Sequence, residues 1–209
     1  MPRHQSADDN ALPVMVPRND KPLAQVGADR VRRFREHVVK AMRDARTLKC
    51  TAAHWSPQPT GFAATVAGVA CGLCKGSCCG HGADDAYLDG HTMARVRSDM
   101  PELDARAVVR LYLKRVPSVA YEGSCIFHGS EGCTLERSLR ADICNSYFCR
   151  GLTAYFRERD EDSPRIVVAG GGDAMRSSAV LVRRPWPAHL PPADKGGLQP
   201  SRATCSARR

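Results

Sequence analysis

The stretch Cys71-Gly72-Leu73-Cys74-Lys75-Gly76-Ser77-Cys78-Cys79 sets four thiols within nine residues, and its reading decides what kind of core this chain can build. Four more cysteines follow at Cys125, Cys133, Cys144 and Cys149. Eight of the ten cysteines of the 209-residue chain thus fall between positions 71 and 149, a concentration that asks for a chemical cause. Thiols at such density are joined in disulfides or gathered on a soft metal. The opening residues, MPRHQSADDNALPVMVPRND, show no apolar run of the kind that leads a chain into an oxidising compartment. A cytoplasmic location with reduced thiols is therefore expected.

Cys71 and Cys74 have the CxxC spacing that lets a tight turn aim two thiolates at one ion, at about 2.3 Å for zinc, with Gly72 supplying backbone freedom. A thioredoxin-type redox pair shares the spacing, but six further clustered cysteines do not belong to it. A c-type haem attachment needs His after the second cysteine, where this chain has Lys75. Neighbouring side chains diverge, so Cys78 and Cys79 are expected to reach two ions or two corners of a cluster. Cys144 and Cys149 would stand about 140° out of register in an unbroken helix, which predicts a break between them, with Cys149 opening the second helix. A thiolate there gains from the helix dipole.

With Gly132 before Cys133, and Arg140 and Phe148 among the last cysteines, this pattern resembles the CxxCxxCC family of zinc- or iron-chelating, YkgJ-like cysteine-cluster proteins. The resemblance spans roughly residues 70–155. Two differences stand out: three residues rather than two precede the adjacent pair, and Ala141 follows Arg140 where the family has proline. What the resemblance implies is metal chelation by Cys71, Cys74, Cys78, Cys79, Cys125, Cys133, Cys144 and Cys149, and little about a reaction. A related domain occurs in flagellin lysine methylases, but no S-adenosylmethionine fingerprint is recognisable here.

The composition is that of a soluble globular chain, with 43% apolar and 25% charged residues. Aromatic residues make up only 6%, so the core leans on Ala, Val and Leu, which bury less area each, and a metal cross-link would help it. No apolar run approaches the ~18 residues of a membrane span. The formal charge of +9 lies at the ends: residues 1–50 carry eleven Lys and Arg against six Asp and Glu, residues 176–209 carry seven against one, and residues 71–150 balance ten with ten. Such ends could meet nucleic acid or an acidic protein, yet no aromatic RNP pattern or recognition helix supports either partner.

The expected architecture is α+β and mainly helical: a small, irregular, cysteine-rich metal-binding domain with a preceding helix and disordered termini. Residues 1–27, with four prolines, read as a disordered N-terminal segment, and 28–56 as an amphipathic helix and linker. In that helix Asp29 is the expected N-cap, and Val31, Phe34, Val38, Met42 and Ala45 form one face up to about Lys49. Residues 60–184 form the cysteine-cluster domain, entered through a small-residue stretch, Gly61 to Ala70. Within it the spacing predicts a short strand near Tyr87 and Leu88, helices at Thr92–Asp99 and Glu102–Arg115, an extended run from Val119 to Phe127, a helix from Cys149 to Arg159, and a strand at Ile166–Ala169. The second of these helices shows a stripe of Leu103, Ala107, Leu111 and Val116. Gly170 to Gly172 reads as a turn, and 185–209 as a disordered basic tail.

Other polar residues carry plainer readings. His81 and His128 lie close to cysteines and could add a nitrogen ligand, but eight thiols suffice and exposed loop positions are expected. His37, on the first helix, reads as a surface or boundary residue, Cys50 as a small packed hydrophobe and Cys205 as a tail thiol. Asp84, Asp85 and Asp89 fall in a turn-rich stretch where Asp bonds its own backbone. Arg140 and Arg150 flank the last cysteines and could offset excess thiolate charge. The function expected is chelation of zinc or iron, the iron alone or as an iron–sulfur cluster, with the metal ion as partner. Two alternatives are a redox or methyl-transfer-type enzyme using the centre and a zinc-stabilised interaction module. No Ser/His/Asp, HExxH or phosphate-loop motif supports catalysis, so the enzyme reading is the weaker.

Overall fold

A computed structural model describes residues 12–48, 57–158, 163–170 and 177–183. In chain order its elements are β1 (Leu12–Pro17), β2 (Leu23–Gln25), α1 (Ala28–Asp44), α2 (Gly61–Cys74), α3 (Gly90–Asp99), α4 (Ala105–Leu113), β3 (Val119–Tyr121), β4 (His128–Gly129), β5 (Gly132–Cys133), α5 (Asp142–Ser146), α6 (Arg150–Arg157), β6 (Arg165–Gly170) and β7 (Ser178–Val182), with short 3-10 turns at Ser77–His81 and Arg137–Leu139. The fold is α+β. The described residues divide into two compact units, one from positions within 1–19, 58–75 and 148–202, the other from positions within 20–57 and 76–147. The expected 60–184 segment therefore contributes to both.

The first unit is a three-stranded sheet of order β1-β6-β7, with β1 parallel to β6 and β7 antiparallel to it. Alternation sends Val14 and Val16 of β1 and Val167 and Ala169 of β6 to one face, where α2 contributes Phe62, Val66 and Ala70 and α6 contributes Leu152 and Tyr155. This corrects the reading of 1–27 as disordered: β1 and β2 lie inside it, while residues 1–11 lie outside the described residues. Among the described residues β1 pairs on one side only, so Pro13 and Pro17 cost it no ladder bonds on its other side. The stretch from Gly61, expected only as a lead-in, is a helix; it ends at Lys75, whose left-handed φ of 50° is the usual helix-stopping conformation, and the Lys75 N–H donates to the Cys71 carbonyl. α6 lies so close to β1 that a Cβ on Gly151 would land on the Met15 carbonyl oxygen.

The second unit packs α1, α3 and α4 around a core centred on Phe34, Met93, Tyr112 and Phe127, with the Phe34 and Phe127 rings edge to face at 4.9 Å. Its other elements are two small antiparallel pairs, β2 with β3 and β4 with β5. α1 buries Phe34, Val38 and Met42 as the periodicity requires, but Gly27 is its N-cap, and Asp29 sits in the first turn with its carboxylate on Arg32 at 3.0 Å. α3 starts at the Asp89 cap, whose carboxylate accepts from the Thr92 N–H at 2.8 Å, and α4 starts at the Asp104 cap. α4 buries Val108 and Tyr112, one position along from the expected Leu111 stripe. No strand forms at Tyr87 and Leu88, because Ala86 and Tyr87 are both left-handed, and of the expected run to Phe127 only Val119–Tyr121 is extended. The expected Gly170–Gly172 turn runs beyond Gly170 into positions outside the described residues, as does the 185–209 tail.

Candidate functional site

Of the eight cysteines singled out by sequence, the second unit holds Cys78, Cys79, Cys125, Cys133 and Cys144, and the first holds Cys71, Cys74 and Cys149. In the first unit, Cys71 and Cys74 occupy the last turn of α2, so the CxxC is helical rather than the tight knuckle expected of it. Gly72 has open space around its Cα and no unusual φ to justify a glycine. Cys74 is buried against the sheet, and Cys149 is the N-cap of α6, as the spacing to Cys144 foretold; α5 ends at Ser146 before α6 begins at Arg150. Arg150 is exposed in the first turn of α6.

In the second unit the thiols are brought together by backbone ties between distant segments. The Cys125 N–H donates to the Cys79 carbonyl at 3.0 Å and the Ile126 N–H to the Ala83 carbonyl at 2.8 Å, which fixes the turn 125–128 against the 3-10 turn carrying Cys78 and Cys79. β4 and β5 then place Cys133 opposite His128. Arg95 of α3, itself buried, donates to Asp142 at 2.9 Å and to the carbonyls of Ser138 and Arg140 at 2.6 Å, holding the segment that leads into α5 and Cys144. Arg140 in turn donates to the Leu135 carbonyl at 2.8 Å.

The adjacent Cys78 and Cys79 act on each other first: Cys79 holds Cys78 below the usual thiol range, and Cys78 drives Cys79 far above it, burial and the charges of Cys125 and Cys133 adding to the rise. Burial pushes Cys125 up to about 12, with Cys133 and Cys144 adding to the shift. Burial likewise raises Cys144 to about 11, helped by Cys133 and opposed by the Arg140 guanidinium.

Three residues that sequence reasoning set aside shape this neighbourhood. His128 is buried rather than exposed: Nδ1 lies 2.8 Å from the Ser124 hydroxyl, and the ring packs against Tyr121, tilted by 49° with centroids 4.6 Å apart. Gly76, with φ of 66°, leaves room for it, since a Cβ there would strike His128 Nε2. Gly82 leaves room for Cys125, whose Sγ would lie 3.3 Å from a Cβ at that position. His81 is exposed, as expected, and His37 bonds the Leu88 carbonyl at 2.5 Å. The acidic trio is structural: Asp84 pairs with Arg30 at 2.5 Å and Arg33 at 2.7 Å, Asp85 accepts from the Tyr87 N–H, and Asp89 caps α3.

As donors the five thiols suit a soft metal, zinc or iron, which thiolates bind in preference to oxygen ligands. Among the described residues no group of three or more His, Cys, Asp or Glu side chains is arranged so that it could hold a metal ion. Cys78 and Cys144 are free and exposed. No helix of the described residues is long and apolar enough to cross a membrane. No protein family, curated protein or solved structure matches the chain in comparisons of sequence and of fold.

Proposed function

We propose that this chain is a cytoplasmic metal-binding protein of the YkgJ-like kind, and that its second unit holds zinc or iron through Cys78, Cys79, Cys125, Cys133 and Cys144. The observation that carries the reading is geometric: the Cys125 N–H bonds the Cys79 carbonyl at 3.0 Å and β4 with β5 sets Cys133 opposite His128, so thiols from separated stretches of chain are gathered in one unit. A chain with only 6% aromatic residues gains from such a cross-link, and metal binding to thiolates is folding free energy where the site forms with the fold. Cys71, Cys74 and Cys149 of the first unit are further thiol donors. When bound, the metal would supply a cross-link and a charge centre; the protein's part is to hold the thiols on tied segments and to set Arg140 beside Cys144.

Zinc is favoured for protein prepared in air, because zinc–thiolate sites do not undergo redox change and an exposed iron–sulfur cluster is oxidised. Elemental analysis with visible spectra, on protein purified in air and under nitrogen, tests this. A colourless sample with stoichiometric zinc is expected. A brown anaerobic sample with iron and acid-labile sulfide refutes the zinc preference, and protein that neither contains nor takes up metal refutes the function. Serine at Cys79 or Cys133 should lower the metal content, and serine at Cys74 or Cys149 reports whether the thiols of the first unit hold metal.

A further inference from the structure

Charge in the second unit is segregated. Residues 28–48 and 105–116, which hold α1 and α4, carry eleven Lys and Arg against three Asp and Glu, while its other described stretches, 20–27, 76–104 and 117–147, carry five against eleven. The two basic stretches lie far apart in sequence, and the fold sets them side by side. α1 packs against α4, and the antiparallel pairing of Gln25 with Val119, with the Val26 N–H on the Ser118 carbonyl at 2.9 Å, brings the end of α4 to the start of α1. One flank of α1 is occupied, Arg30 and Arg33 by Asp84 and His37 by the Leu88 carbonyl. Arg35 and Arg43 of α1, Arg46 just beyond it, Arg106 and Arg110 of α4 and Lys114 at its end are all exposed, and none meets a carboxylate within ion-pair distance among the described residues. Arg106, Arg110 and Lys114 recur every fourth residue, which lines them up about 6 Å apart on the side of the helix opposite the buried Val108 and Tyr112.

We propose that the face formed by α1 and α4 binds the phosphate backbone of a nucleic-acid duplex without regard to sequence. Exposed cations without carboxylate partners, in a unit whose acidic residues belong to other stretches, fit a polyanion by charge. Five of the six are arginines, whose planar fork meets two phosphate oxygens at once. The aromatic residues of the two helices, Phe34 and Tyr112, are buried, so no ring is offered for unpaired bases to stack on, and a duplex fits better than a single strand. An acidic protein would be held by apolar anchors beside the charges, and the large apolar side chains exposed among the described residues, such as Leu23, Ile143 and Tyr147, lie on neither helix. Such binding does not depend on metal at the thiols, none of which lies on α1 or α4.

The test uses the full chain in reductant and short labelled DNA duplexes of two unrelated sequences, with binding read by fluorescence anisotropy between about 50 and 200 mM salt. The expected result is equal affinity for the two sequences, weaker affinity for a single strand of the same length, and a loss of about 10³-fold across that salt range, the figure for six phosphate contacts. Arg110→Glu should keep the melting point, weaken binding by about tenfold and take about one from the slope of log affinity against log salt. Arg157→Glu makes the same change of charge at an exposed position of the first unit and should leave the affinity nearly as it was. Both variants keep the basic ends of the chain, so the comparison isolates the helix face. Equal losses in the two variants, or no loss in Arg110→Glu, overturn the proposal. So does a wild-type chain that leaves the duplex free at about 50 mM salt, or that binds it no better than the single strand. Binding to vesicles of phosphatidylserine and phosphatidylcholine without binding to the duplex would assign the face to a membrane surface and overturn it as well.

Discussion

Arg95→Met should unfold the second unit far more readily, because one guanidinium ties α3 to the segment that delivers Cys144. Its side chain is only 4% exposed and meets Asp142 at 2.9 Å, Asp99 at 3.6 Å, and the carbonyls of Ser138 and Arg140 at 2.6 Å. Each bond from a charged donor contributes about 1.5–3 kcal/mol, but their sum overstates the loss. Asp142 and Asp99 are 39% and 37% exposed, so water replaces part of what they lose, while methionine keeps the packing of the aliphatic stem. The expected cost is therefore at the low end of the range for breaking a buried ion pair, about 3 kcal/mol. For a chain of this length that is a fall in melting temperature of about 6–12 °C. Thermal and urea unfolding followed by circular dichroism, in reductant with and without zinc, measure it. Arg95→Lys should recover less than half, since an ammonium cannot reproduce the planar fork that reaches two carbonyls and a carboxylate. A loss below about 1 kcal/mol in Arg95→Met, the size of an exposed pair, would refute the reasoning.

Gly151→Ala should lower stability by about 2–3 kcal/mol, since the new methyl meets the Met15 carbonyl and must push α6 off β1; a melting curve matching wild type would contradict that close approach. Burial alone would raise Asp84, but Arg30 and Arg33 outweigh it and hold the carboxyl below its ordinary range. Its folded value being the lower, the pair's stabilisation is fully present above the unfolded value of about 3.9 and is lost as pH falls through the folded one. Asp84→Asn should thus cost about 1 kcal/mol at pH 7, with the difference from wild type vanishing at strongly acidic pH; a pH-independent difference in urea midpoint would show that the charge is not its source.

The parts of this fold that sequence made legible are those with a strong period or a strong cap. α1 announces itself through Phe34, Val38 and Met42 against a face of arginines, and the break before α6 through the five-residue spacing of Cys144 and Cys149, whereas Asp89, read as a turn residue, proves to cap α3. α2 was hidden because its Ala, Gly and Val residues offer little polar face to contrast with Phe62 and Val66. β1 was hidden by its prolines, and its existence depends on a partner more than a hundred residues away, which no local window contains. The thiols stood out by number, yet how they divide between two units depends on long-range ties such as those at Cys125, Ala83 and Arg95. Nothing in the composition around His128 or Tyr87 marks one as buried or the other as left-handed.

The parallel pairing of β1 with β6 also orders events during synthesis. Leu12 leaves the ribosome early, but Arg165, its partner, does not exist until the whole stretch from 20 to 147 has already emerged. Closing so long a loop is entropically slow, whereas α1, α3 and α4 can meet as soon as Leu113 is made. Through that interval Val14, Val16 and the apolar side of α2 have no sheet to rest on. They are the surfaces of the nascent chain that a holding chaperone would meet first.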